Sequence, residues 1–135
     1  MKSSGTTTHL GLLIIILLFG VITDSSGQLP DSIIKATQDA NAKELSNYFN
    51  GKIELVLPQK SGVFSESQAK LVLDDFFKHN PIKSFKIIHQ GKRENSAFAI
   101  GKYQSTNSVY RFYFLTKNKE DKTYIHQLRI EKEDD

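Results

Sequence analysis

The chain of 135 residues has no cysteine, no tryptophan, one methionine and three prolines. Without cysteine there is no disulfide, no thiolate zinc ligand, no cysteine nucleophile and no sulfur to carry a lipid. A surplus of one charge is also lacking: 18 Lys+Arg stand against 15 Asp+Glu, a formal +3. The basic residues alternate with acids along the chain, so no nucleic-acid patch is expected. Of the eight glycines, Gly5, Gly11, Gly20 and Gly27 fall near the start and the others stand singly. No glycine-rich phosphate loop can be built from them. The apolar runs are short of the ~20 residues that a spanning helix needs.

The longest such run, Leu10 to Ile22, follows the basic Lys2 and precedes the small residues Ser25, Ser26 and Gly27. That is the layout of a secretory signal peptide, with cleavage expected after Gly27. An uncleaved anchor is the alternative reading of the same run. Removing the first 27 of the 135 residues leaves 108, still at +3 because the lost piece carries one Lys and one Asp. A chain of this size makes one domain with one modest core. The expectation is an exported protein, periplasmic or secreted, with no stable membrane span after cleavage.

Within residues 28–131 a first helix is expected from Asp31 or Ser32, with Ile33, Ile34 and Thr37 on one side. Asn41 and Glu44 have capping-box spacing, and Leu45, Tyr48 and Phe49 follow at helical spacing up to Asn50-Gly51. Lys52 to Leu57 reads as a strand and Val63-Phe64 as a short one. Ser65 and Gln68 form a second capping box ahead of the apolar stripe Ala69, Val72, Leu73, Phe76 and Phe77, and Asn80-Pro81 stops that helix. Four strands then follow: Lys83 to Gly91, Ser96 to Ser105, Val109 to Lys117 and Lys122 to Glu131. Short polar separators make them an antiparallel meander. The layout is α+β, three helices on one face of a curved antiparallel sheet of five or six strands. The acidic tail 132–135 is expected to fray.

Several segments carry a family resemblance: Gly62-Val-Phe-Ser65, Asp75-Phe-Phe77, Asn80-Pro81, Ser84 to Gly91, Ala99-Ile-Gly101, Tyr110-Arg-Phe-Tyr113 and Gln127-Leu-Arg-Ile-Glu131. The chain resembles the exported bacterial domain-of-unknown-function family 4783, within the nuclear-transport-factor-2-like (cystatin-like) superfamily. The resemblance implies a cone-shaped fold with helices packed in a bent sheet. It implies no activity, since the wider fold hosts enzymes, transport factors and assembly domains alike.

An acid-base enzyme of this shape needs a titratable group inside the cone. The carboxylates are badly placed for that: Asp74 opposes the apolar stripe, Glu54 faces away from Ile53 and Leu55, and most others fall in turns or the tail. No catalytic residue, metal or cofactor is assigned. Strict alternation puts His89 with Phe85 and Ile87, His126 with Tyr124 and Leu128, and Tyr110 with Phe112 and Phe114. His89, Tyr110 and His126 are therefore candidates for a pocket at one end of the cone, taking a small hydrophobic ligand. The same histidines also read as half-buried side chains satisfied by their neighbours. The other side of the sheet carries Arg111, Tyr113, Gln127 and Arg129, and the run Val109 to Leu115 is apolar on both faces. A strand wet on one face reads apolar-polar, so something is expected to cover this one. These four residues are candidates for an interface with a second copy or another protein. Alternatively the arginines lay their stems over the sheet and keep their heads wet.

Overall fold

The computed structural model describes residues 29–133. The expected leader and its cleavage point lie outside the described residues, as do Asp134 and Asp135. The order of elements is α1 (Asp31–Gln38), α2 (Ala42–Ser46), β1 (Phe49–Val56), β2 (Ser61–Ser65), α3 (Glu66–His79), β3 (Ile82–Arg93), β4 (Ser96–Ser105), β5 (Val109–Lys119) and β6 (Lys122–Lys132). Among these residues no helix is long and apolar enough to cross a membrane.

The long helix α3 begins where its sequence says. The Gln68 amide donates to Ser65 Oγ and the Ser65 amide donates to Gln68 Oε1, both at 3.3 Å. This capping box satisfies two of the donors that a helix start leaves free. Ala69, Leu73, Phe76 and Phe77 are buried on one side and Leu71 points out. The second helix is shorter than the apolar spacing suggests. Asn41 caps it as expected, accepting from the Glu44 amide at 3.0 Å, but it ends at Ser46. Phe49 opens β1 instead, beside Ile125 of β6. Asn50-Gly51 is thus not a helix stop. Gly51 lies within β1 at φ 76°, and its amide donates to Glu66 Oε1 at 3.0 Å. Five helical residues hold themselves weakly, and burial of Phe49 in line with Ile53 and Leu55 favours the strand.

The six strands are ordered β2-β1-β6-β5-β4-β3. The meander β3 to β6 is antiparallel throughout, and β1 pairs antiparallel with β2. The join between β1 and β6 is parallel, so the sheet is mixed at that one seam. The crossing by α3 explains the seam: it carries the chain from β2 at one edge to β3 at the other, and the meander then walks back to β1. Strand β6 also runs further than its sequence suggests. Lys132 pairs with Tyr110, and the Glu133 amide donates to the Val109 carbonyl at 2.8 Å, so those two residues do not fray.

Register shifts occur in β1/β6, β3/β4 and β5/β6. Each extra residue bends its strand, and together they curve the sheet around α3. Aromatic rings fill the concave side. Tyr103 stacks on Phe112 at a centroid distance of 4.8 Å, and Phe76 meets Tyr110 edge-on at 5.0 Å. The Tyr103 hydroxyl donates to the Asn80 carbonyl at 2.6 Å and the Tyr110 hydroxyl to Asn80 Oδ1 at 2.8 Å. Every buried side-chain nitrogen and oxygen among the described residues has a partner.

Candidate functional site

The convex face of the sheet brings the four expected interface residues together. Ile100, Tyr113 and Arg129 form one lateral row across β4, β5 and β6. Phe98, Leu115 and Gln127 form the next row, and Lys102, Arg111 and Glu131 the row beyond. At the centre is an apolar patch of Phe98, Ile100, Tyr113 and Leu115, with Phe98 still 41% exposed. Charged groups of both signs frame it. Gln127 Nε2 donates to Glu54 Oε1 at 2.9 Å, Arg129 lies 3.3 Å from Glu131, and Arg111 lies 3.4 Å from Glu133. The Tyr113 hydroxyl and the Glu133 carboxylate raise the Arg111 pKa above its already high ordinary value, so its charge is permanent. The arginine heads are wet, as snorkelling requires, while Phe98 stays exposed and Ile100, Tyr113 and Leu115 are half-buried.

Phe98 and Ile100 were not reached by reasoning from the sequence. Their strand carries the signal in the reverse of the usual sense. In β4 the concave side holds Ala99 and Gly101 while the convex side holds Phe98 and Ile100. The small residues face in because rings from β3 and β5 occupy that space. A Cβ placed on Gly101 would lie 2.2 Å from Cζ of the buried Phe85. A glycine inside a strand marks such a close approach, and here it identifies which side of β4 is the core.

The expected pocket of His89, Tyr110 and His126 does not form. Between Ile87 and His89 two residues of β3 advance against one of β4. This bulge reverses the alternation, so His89 pairs with Ile100 on the convex face and lies 5.5 Å from the Phe98 ring. A second bulge comes between Ile125 and Gln127, which pair with Thr116 and Leu115. His126 is the extra residue there and is exposed, while Ile125, which unbroken alternation with Gln127 and Arg129 would put on the outer side, is 1% exposed in the core. Tyr110 alone is inside, and its hydroxyl is used by Asn80. It borders a surface cavity of ≈ 460 Å³ between α3 and the turn after β1, with Leu57, Val72, Asp75 and His79, and neither expected histidine reaches it. Among the described residues the buried polar side chains other than tyrosines are Thr37, Ser105 and Thr116. Burial, and then the neighbouring Tyr110, push the Tyr103 phenol well above its ordinary 10.0, so it stays protonated. Among the described residues no three His, Cys, Asp or Glu side chains gather to hold a metal ion.

The model of the family described as "Domain of unknown function (DUF4783)" matches residues 30–131. The chain belongs to the DUF4783 family. A DUF4783 family protein from Bacteroides ovatus is similar to it at 32% identity and TM-score 0.76, over 82% of this chain and 100% of that one. A DUF4783 family protein from Bacteroides uniformis is similar at 32% identity and TM-score 0.74, over 80% of this chain and 100% of that one. An NTF-2 like protein of unknown function from Silicibacter pomeroyi shares the fold at 12% identity and TM-score 0.58, over 95% and 98% of the two chains. No curated protein matches the DUF4783 chain. The cone-shaped nuclear-transport-factor-2-like architecture that the resemblance implied is therefore the fold of this DUF4783 domain, and the family description assigns it no activity.

Proposed function

We propose that this DUF4783 domain is a non-catalytic assembly module that pairs with a second copy of itself through the convex face of its sheet, after export. The observation that carries the reading is the middle of strand β4, where Phe98 and Ile100 face outward beside Tyr113 and Leu115 while Ala99 and Gly101 face in. A domain this small has few large apolar side chains, and placing Phe98 and Ile100 outside the core makes physical sense if a partner buries them. Charge supports a second copy as that partner. The patch is framed by Arg111, Arg129 and Lys102 but also by Glu54 and Glu131. A uniformly acidic partner would meet the glutamates and a uniformly basic one the arginines. A two-fold copy presents both signs to both. Export is supported by the Leu10 to Ile22 run and the small residues after it.

Sedimentation equilibrium on the chain from Gln28 to Asp135 tests the pairing. The expected result is a dimer at tens of micromolar that Tyr113→Glu with Leu115→Lys converts to a monomer of unchanged circular dichroism. A monomer at every concentration would overturn the reading.

A further inference from the structure

We infer that the hairpin end of the same convex face is a binding site for a small molecule carrying at least two negative charges. A cavity of ≈ 670 Å³ opens there, lined from four strands by Lys52, Arg93, Lys117, Lys119, Tyr124 and His126. Glu94 is the single acid in its lining. The arrangement follows from the sheet register. Arg93 pairs with Ser96, Ser96 with Lys117, and Lys117 with Tyr124, so one lateral row crosses β3, β4, β5 and β6. Arg93 and Lys117 thus stand two strand spacings apart, roughly 9.5 Å, on either side of Ser96. Lys119 lies two residues further along β5 on the same face, and Lys52 approaches from β1. The bulge at His126 turns that ring outward into the same space.

Two observations point to an anion. The first is the concavity itself, within the size range of small-ligand sites. The second is that, among the described residues, none of Lys52, Arg93, Lys117 and Lys119 is ion-paired. Arg111 and Arg129, on the same face, each have a carboxylate at 3.3–3.4 Å. Four unpaired cations round one hollow repel each other, and a cleft with low-dielectric walls concentrates their field. An anion between them relieves the repulsion. The half-buried Tyr124 adds a ring against which an organic portion of the ligand can lie. The frame is stiff: β3–β4 and β5–β6 turn in two residues each, Glu94-Asn95 and Glu120-Asp121, and Glu94, Glu120 and Asp121 sit at positive φ. An extended nucleic acid is disfavoured because the remaining basic residues are interspersed with acids.

The site stands apart from self-association, since its cations lie beyond the apolar patch. Titration of the ¹⁵N-labelled Gln28–Asp135 chain with sodium pyrophosphate and with citrate at low salt tests it. The expected result is saturable shifts confined to the amides of Asn95, Ser96, Lys117 and Asn118. Arg93→Ala with Lys117→Ala should weaken the affinity at least about tenfold, and Lys43→Ala with Lys83→Ala should leave it within about twofold. Raising the salt should weaken binding, because exposed charges are screened. The double variant should retain the wild-type melting temperature and oligomeric state. Absence of saturation up to about 10 mM of either anion would overturn the inference. So would equal losses from both variant pairs, or saturation by hexaglutamate alone, which would assign the cations to an acidic protein surface.

Discussion

Gly101 has no side chain because Phe85 occupies the place a methyl would take. The ring is 4% exposed and packed against Phe112 and Phe114, so it has nowhere to swing. Gly101→Ala should therefore cost about 1–3 kcal/mol, read as a fall of roughly 5 °C or more in melting temperature. Gly91→Ala is the control. Its Cβ would meet the Phe98 ring at 2.6 Å, but that ring is exposed and can turn away. It should cost under ~1 kcal/mol. Equal losses at the two glycines would contradict the assignment of core and convex sides. Asn80 ties the tyrosines to the end of α3 through its own side chain and carbonyl. Asn80→Ala strands the Tyr110 hydroxyl and should cost about 1–3 kcal/mol, whereas adding Tyr110→Phe to it should restore part of the loss. Tyr103 sets an alkaline limit. In the unfolded chain its phenol ionises near 10.0, while in the fold burial holds it protonated to higher pH. The folded state then binds the extra proton, so stability falls as pH rises above 10, by up to ~1.4 kcal/mol per pH unit. Urea unfolding at pH 9 and pH 11 should show a smaller loss for Tyr103→Phe than for the natural chain.

The helix α3 was readable residue by residue because local chemistry fixes both of its ends. Ser65 and Gln68 bond each other's amides, and Asn80-Pro81 cannot continue the turn. Ser65→Ala should cost about 0.5–2 kcal/mol, and unchanged stability would show that tertiary packing alone sets the start. The meander was readable for a similar reason, since its turns are short and its alternation is long. What could not be read were the bulges. A strand pattern carries parity, and one inserted residue inverts everything after it. The insertions at Ile88 and His126 are set by how β3 and β6 pair with their neighbours, not by their own composition. Hence Arg111, Tyr113, Gln127 and Arg129 share one face as alternation implies, on the unbroken strand β5 and on β6 past its bulge, while neither histidine shares a side with Tyr110. The helix expected up to Phe49 failed for a related reason. Helical spacing of Leu45, Tyr48 and Phe49 is also compatible with a turn that feeds Phe49 into the sheet beside Ile125.

For the molecule as a whole, the missing cysteine leaves packing and hydrogen bonds to hold the fold, and every buried side-chain nitrogen and oxygen among the described residues has a partner. Aromatic rings from α3, β3, β4 and β5 line the concave side. The convex face carries the exposed Phe98 with Ile100, Tyr113 and Leu115 beside it, and the basic hollow at its hairpin end. Export is a separate matter with its own check. Mass spectrometry of the protein recovered from its cells and their medium should find it outside the cytoplasm and beginning at Gln28, and a membrane-bound species retaining the Leu10 to Ile22 run would instead make it anchored. The claim that the convex face joins two copies is tested most directly by isotope-filtered nuclear Overhauser spectra of a mixed labelled and unlabelled sample. The account predicts intermolecular contacts from the side chains of Ile100, Tyr113 and Leu115. Intermolecular contacts from α3 or from the β2 edge, with none from those three residues, would contradict it.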